Sequence, residues 1–460
     1  MWPPAWPSST PFSDPEPLLP ERERSEQPGG LLIRGGKVVD PNGERIADVR
    51  IRDGHVVEVG ERLRGGDGDE REVDAAGCIV SPGFVDLHVH LREPGDEEAE
   101  TIFTGTRAAA RGGYTAVVAM PNTRPPLDSA SVVASVLRTG DTEGLCQVAS
   151  SGCITVGREG KELAPMAEMH ALGVRIFTDD GSCVASAGVM RRALQYAKSL
   201  PGAVVAQHAE DETLAGGGSM HEGAWSSRLG IPGRPSIAET VIVARDIELA
   251  AATGTPVHFL HCSAAGTVEL VREAKRRGLS VTAEAAPHHF TLTDACCAGF
   301  DPIFKVHPPL RTDEDVAAVR AGLADGTIDA IATDHAPHTP ESKERPFEEA
   351  PPGMLGLETA LALALTELVE PGILTLRTAL GVLSWRPARI AGLAAQGNAI
   401  EAGRPANLAI VDPAVRWVVD AERLASKARN TPFQGRTLTG KVRHTIYAGE
   451  LVVDDGEVTR

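Results

Sequence analysis

Basic charge is in short supply: 45 Lys and Arg stand against 63 Asp and Glu, a formal net charge of -18. Such a surface repels polyanions, which excludes nucleic acid and anionic membranes as partners. A local cluster of metal and arginine can still draw in a small acidic substrate. Cysteine is also scarce: the seven residues are odd in number and none forms a C-x-x-C pair. That excludes a disulfide framework and suits a reducing compartment, the cytoplasm. No apolar run approaches the ~20 residues needed to span a bilayer. The first residues lack the basic start and apolar core of a signal peptide. Residues 1–28 are rich in Pro, Ser and charge and read as a disordered tail. Trp2, Trp6 and Phe12 could serve there as a docking motif, but an unstructured extension is the simpler expectation.

The remainder has an ordinary soluble composition, 42% hydrophobic and 23% charged, over a length that suits one barrel-sized domain and a smaller one. From Leu31 to about Val80 the segments are short and β-like, with turns such as Asp53-Gly54 between them. The far end repeats this texture in ANLAIVDP, VRWVVD and GKVRHTIYAGELVVDDGEV. Neither piece has enough strands to stand alone. Residues 29–80 and 393–460 are therefore expected to pair into one composite β domain, a small β-sandwich built from both chain ends.

Between them, over 81–392, apolar strands alternate with helices. Strands are expected at about 80–90, 114–119, 147–156, 173–179, 203–208, 256–262, 280–286 and 330–334. A helical stretch follows each, one of them opened by an expected capping box, Ser236-Ile-Ala-Glu239. Eight strand–helix units in series predict a (β/α)8 TIM barrel of the α/β class. No Gly-rich phosphate turn follows the first strand, which argues against an open doubly wound sheet.

The stretch VDLHVHLREPG places Asp86, His88, His90 and Arg92 at alternate positions, on one face of a strand. Two histidines so spaced aim two nitrogen ligands at one point, which suits zinc. The bland alternative is a surface strand with its polar face in water. The other strand ends weigh against it. They carry Asn122, Asp179 and Asp180, His208, His258 and His261, His288 and His289, and Asp334, His335 and His338. Nine of the 14 histidines fall at these ends, where TIM barrels hold their chemistry. His88, His90, His208 and His261 with Asp334 form a ligand set rich enough for two metals bridged by a carboxylate. Strand parity points Asp180, rather than Asp179, inward as the bridge. His258, His288 and His289 are expected to pack or support.

DLHVHLREPG together with ATDHAPHTPESK resembles the two signature motifs of dihydroorotases in the amidohydrolase superfamily, and the similarity runs from about Leu31 to the end. MPNT, FTDDG, PPLR, GLET and SKARNTPFQG belong to it. The resemblance implies reversible, zinc-dependent cyclisation of N-carbamoyl-L-aspartate to L-dihydroorotate in pyrimidine synthesis, with one or two zinc ions per chain. It implies His88, His90, Asp180, His208, His261 and Asp334 as metal ligands, with Asp334 also the catalytic acid/base. Arg92, Asn122 and His338 are implied to hold the substrate carboxylate. The resemblance implies that association with aspartate carbamoyltransferase is open to an active member of the family, and a homodimer stays open beside it.

Three positions depart from the family pattern. His307 precedes Pro308-Pro309-Leu310-Arg311 where an Asn is usual, Pro352-Gly353 replaces Phe-Gly, and Arg386 replaces Asn before Pro387-Ala388. His307, Pro352 and Gly353 are thus candidate substrate contacts whose details differ. The stretch after His338, TPESKERPFEEAPPG, reads either as a lid or as a solvated connection. Two rivals remain. An allantoinase or hydantoinase would use a bridging Lys, against which FTDDG argues. An inactive structural partner of aspartate carbamoyltransferase would lack the ligand histidines, which are all present.

Overall fold

Runs of Val, Ile and Ala bounded by polar turns form eight short parallel strands in the computed structural model. They are β1 (Phe84–Val89), β2 (Tyr114–Ala119), β3 (Gln147–Ser150), β4 (Ile176–Phe177), β5 (Val204–Gln207), β6 (Val257–Phe259), β7 (Val281–Ala285) and β8 (Ala330–Ile331). Residues 30–65 and 70–459 are described, so the expected tail over 1–28 lies outside the described residues. Strands β1–β2–β3 hydrogen-bond as one sheet and β4–β5–β6–β7–β8 as another. The sheet edges meet through parallel bridges, Gly152 with Phe177 and Val89 with His335.

The helices that follow these strands include Ile102–Arg111, Ala187–Ala197, Ile237–Thr253, Ala265–Arg276 and Asp313–Asp325. Capping boxes close two of them, Thr101 with Thr104 and Thr312 with Asp315. The box expected at Ser236 does not form, and the Ser236 side chain makes no cap bond. Glu239 instead accepts from the amides of Ser263 and Ala264 and pairs with Arg311. A buried carboxylate gains more from a guanidinium and several donors than from one cap.

Every residue of β1 is buried, its polar members as fully as its apolar ones. Parallel strands covered by helices bury both faces, so neither face of β1 meets bulk water. Strands β3 and β4 are shorter than their apolar runs predict. The Asp179 carboxylate accepts from the amides of Ile154 and Thr155 at 2.8 and 3.0 Å. Those amides, at the far end of the run expected for β3, therefore go to a side chain rather than to a neighbouring strand.

Both chain ends contribute to a second, nine-stranded sheet. Its seam is Leu408–Val411 running antiparallel to Ile79–Pro82. Ile33, Val49 and Val80 from the first end pack with Ile410 and Ile446 from the second in a core of their own. The Asp53-Gly54 turn has φ of 47° and 77°. Such angles belong to the two-residue hairpin turns that Asp-Gly favours. Among the described residues no helix is long and apolar enough to cross a membrane, and all seven cysteines are free.

Candidate metal and substrate site

The C-terminal ends of the parallel strands converge on one cluster. His88 lies near the end of β1 and His90 just beyond it; Asp180 follows β4, His208 follows β5, His261 follows β6 and Asp334 follows β8. The Asp180 carboxylate lies 3.3 Å from His88, 3.6 Å from His90, 3.6 Å from His208 and 3.5 Å from His261. Asp334 Oδ1 lies 3.1 Å from His90 Nε2 and 3.6 Å from His88 Nε2. All six side chains are buried. Asp179, on the opposite parity, binds loop amides instead.

Two triads hold donor atoms close enough for a shared cation, His88–Asp180–His261 and His88–His90–Asp334. The donors fit a metal. His88 Nε2 and Asp180 Oδ1 are buried without a hydrogen-bond partner, a costly condition that a cation relieves. Burial disfavours the charged form of His88, but Asp180, Glu284 and Asp334 outweigh it and raise its pKa well above the ordinary value. Surroundings that favour a proton on His88 favour a metal ion in its place. Burial likewise opposes ionisation of Asp180, and His88, His208 and His261 reverse this, holding it well below the usual carboxylate range.

Around the cluster opens a cavity of about 430 Å³. Arg92, Asn122, His307, His338, Pro352 and Gly353, the expected substrate contacts, all line it. Arg92 stands past the end of β1 with φ of 63°, and its Nε donates to Pro337 O at 3.0 Å. Asn122 Oδ1 accepts from His90 Nδ1 at 2.8 Å, which fixes that ring with Nε2 toward the cluster. His338 Nε2 donates to Pro352 O at 2.8 Å. Burial, then the charges of Arg92 and Lys343, push the His338 pKa down to about 3, so the ring is neutral. His307 Nε2 is buried without a partner, and burial followed by Arg234 lowers that ring's pKa well below its usual value.

Sequence reasoning missed Glu284, next to the last residue of β7. Its Oε1 accepts from His88 Nδ1 at 2.9 Å and its Oε2 from His258 Nε2 at 3.0 Å. His258 Nδ1 in turn meets Thr282 Oγ1 at 2.8 Å. A lone acid in the apolar run VTAEA was the available signal. Also missed was the segment 210–234, which lines the cavity through Glu210, Gly217 and Arg234, with Arg234 paired to Glu210. Its length, with no long element of its own, marked it as a candidate.

Imidazoles and carboxylates gathered at parallel strand ends, beside an arginine-lined cavity, define a metal-dependent hydrolase. The fold agrees: L-hydantoinase (dihydropyrimidinase) from Arthrobacter aurescens matches with a TM-score of 0.85 at 26% identity, over 94% of this chain and 98% of that one. The chain is an enzyme of this cyclic amide hydrolase class. Residues 77–267 match the family model described as dihydro-orotase-like. The dihydroorotase of Pelotomaculum thermopropionicum is 52% identical over 427 residues, 92% of this chain and 99% of its own. That of Streptomyces coelicolor is 50% identical over 431 residues, 93% and 99% of the two chains. This chain belongs to the dihydroorotase family.

Proposed function

We propose that this chain is a dihydroorotase that interconverts N-carbamoyl-L-aspartate and L-dihydroorotate in the cytoplasm. One observation carries the reading: Asp180 stands among four imidazoles in a cavity that also holds Arg92. Among the described residues no lysine lines that cavity, which speaks against an allantoinase or hydantoinase site with a bridging Lys. Identity to the named dihydroorotases is about double that to the hydantoinase structure. We take the eight parallel strands of 81–392 as a closed (β/α)8 barrel, supported by the two edge bridges. Residues 29–80 and 393–460 are taken as the composite β-sandwich domain.

His88, His90, Asp180, His208, His261 and Asp334 would hold one or two zinc ions, the metal that suits imidazole and carboxylate donors. Bound there, the metal supplies Lewis acidity toward the ring carbonyl and makes water a nucleophile near neutral pH. The chain's own groups do the rest. Arg92 presents a planar fork to the substrate carboxylate. Asn122 has its oxygen committed to His90, which leaves its amide nitrogen to donate. His307 offers an unpartnered ring nitrogen. In ring opening, an Asp334 carboxylate oxygen takes the proton from the attacking water and delivers it to the leaving ring nitrogen. In cyclisation it moves the proton the opposite way.

The test is turnover of dihydroorotate, dihydrouracil, hydantoin and allantoin side by side with a metal count. Dihydroorotate should be strongly preferred, with about one to two zinc per chain. Preference for a ring without a carboxylate would refute the assignment, as would full activity in metal-free protein.

A further inference from the structure

The stretch 339–353, exposed or half-buried over most of its length, is anchored to the body of the chain at a few buried points. Lys343, Phe347 and Ala350 are buried at near-helical spacing, while Glu344, Arg345 and Pro346 between them are exposed. Phe347 enters a cluster with Met220, Ile231 and Cys297. Lys343 is only 9% exposed. Its ammonium donates to Pro351 O at 3.0 Å and to Gly353 O at 3.1 Å. Among the described residues no carboxylate forms an ion pair with it. Burial, then the charge of Lys305, lowers its pKa to about 7, and a buried amine whose N–H groups meet only carbonyls needs those carbonyls held in place.

A second group grips the same carbonyl from a distant part of the chain. Asn430, in SKARNTPFQG, donates from Nδ2 to Gly353 O at 3.1 Å and to Ala336 O at 2.9 Å. Its Oδ1 accepts from the His338 amide at 3.1 Å. The His338 ring holds Pro352 O, and the Gly353 amide donates to Lys305 O at 2.9 Å. At Gly353, φ is +143° and a Cβ would stand 2.8 Å from His338 Nε2. Only glycine lets the backbone come this close to the ring.

We infer that Lys343 and Asn430 are positioning residues that jointly grip the Gly353 carbonyl and hold the Pro352–Gly353 backbone as a fixed wall of the substrate cavity. This rests on reading that cavity as the dihydroorotate site. The wall does not open with each turnover.

Hydrogen–deuterium exchange of the metal-loaded enzyme tests the wall without reference to activity. In the parent, the Gly353 and Met354 amides should exchange as slowly as those of the neighbouring strands. Lys343→Met should speed their exchange by roughly threefold to thirtyfold, the cost of a lost hydrogen bond from a partly charged amine. Asn430→Ala attacks the grip from the other side and keeps the test decisive should Lys343→Met fold poorly. For dihydroorotate, KM should rise roughly tenfold in either variant while kcat changes less than about threefold, because the wall positions substrate and moves no proton. The double variant should be little worse than the worse single one, since both act on one carbonyl. Rapid exchange of residues 339–354 in the parent, unchanged exchange in both variants, or fully multiplicative effects would each overturn the proposal. Absence of turnover on dihydroorotate would overturn the functional reading instead, and exchange would still decide the wall.

Discussion

Replacing Glu284 by alanine should loosen the metal site from behind. Burial by itself would raise the pKa of this carboxyl, but hydrogen bonds from His258 and His88 outweigh it and bring it to about 2. Glu284 is therefore an anion that accepts from two ring N–H groups at 2.9 and 3.0 Å. With His88 Nδ1 donating to Glu284, it is Nε2 that faces Asp180 and Asp334 and can take a metal in place of a proton. Alanine removes that constraint and strands two buried donors at about 1–3 kcal/mol each. Loss of a carboxylate behind a ligating histidine typically costs roughly tenfold to a hundredfold in metal affinity. Glu284→Gln should be milder. Its oxygen can still accept from His88 if His258 shifts its proton to Nδ1 and donates to Thr282 Oγ1, 2.8 Å away. The measurement is zinc affinity by chelator competition for the parent, Gln and Ala forms, with thermal midpoints beside it. The expected order is parent, then Gln, then Ala. An Ala variant with parental zinc affinity would refute the claim that Glu284 sets the His88 tautomer.

Three further outcomes follow from the same geometry. Asp334→Asn should retain zinc yet lose roughly 10²–10⁴-fold in rate, because its amide cannot take a proton; forward and reverse kcat/KM must fall equally, and near-parental rates would move the proton carrier elsewhere. Arg92→Lys keeps charge but loses both the fork and the bond to Pro337 O, so kcat/KM for dihydroorotate should fall roughly tenfold or more with zinc content unchanged; loss of zinc with substrate affinity intact would make Arg92 structural. Glu358 is raised by burial from 4.5 to about 7, only partly offset by Arg111 and the amides of Ala425 and Ser426. The folded chain thus binds more protons than the unfolded one between those values, and stability falls across that window as pH rises, by up to about 3 kcal/mol. Glu358→Gln should therefore raise the thermal midpoint at pH 8 and leave it nearly unchanged near pH 4.5; equal shifts at both would contradict the buried-charge account.

Local chemistry made much of this protein legible from its sequence alone. The alternation of apolar strands with helices, the histidines at strand ends and the Asp53-Gly54 turn each depend on near neighbours and backbone periodicity. Strand parity pointed to Asp180 over Asp179, yet β4 ends at Phe177, so the loop beyond it sets where both carboxylates face. Tertiary structure decided the support behind those residues. Glu284 lies 196 positions from His88, and Asn430 lies 77 from Gly353. No spacing rule links such pairs. The partners of Asp179 and the fate of Glu239 were settled the same way, when distant amides and Arg311 came within reach. A buried polar atom takes whichever partner packing brings within about 3 Å, and packing is known only once the chain has folded.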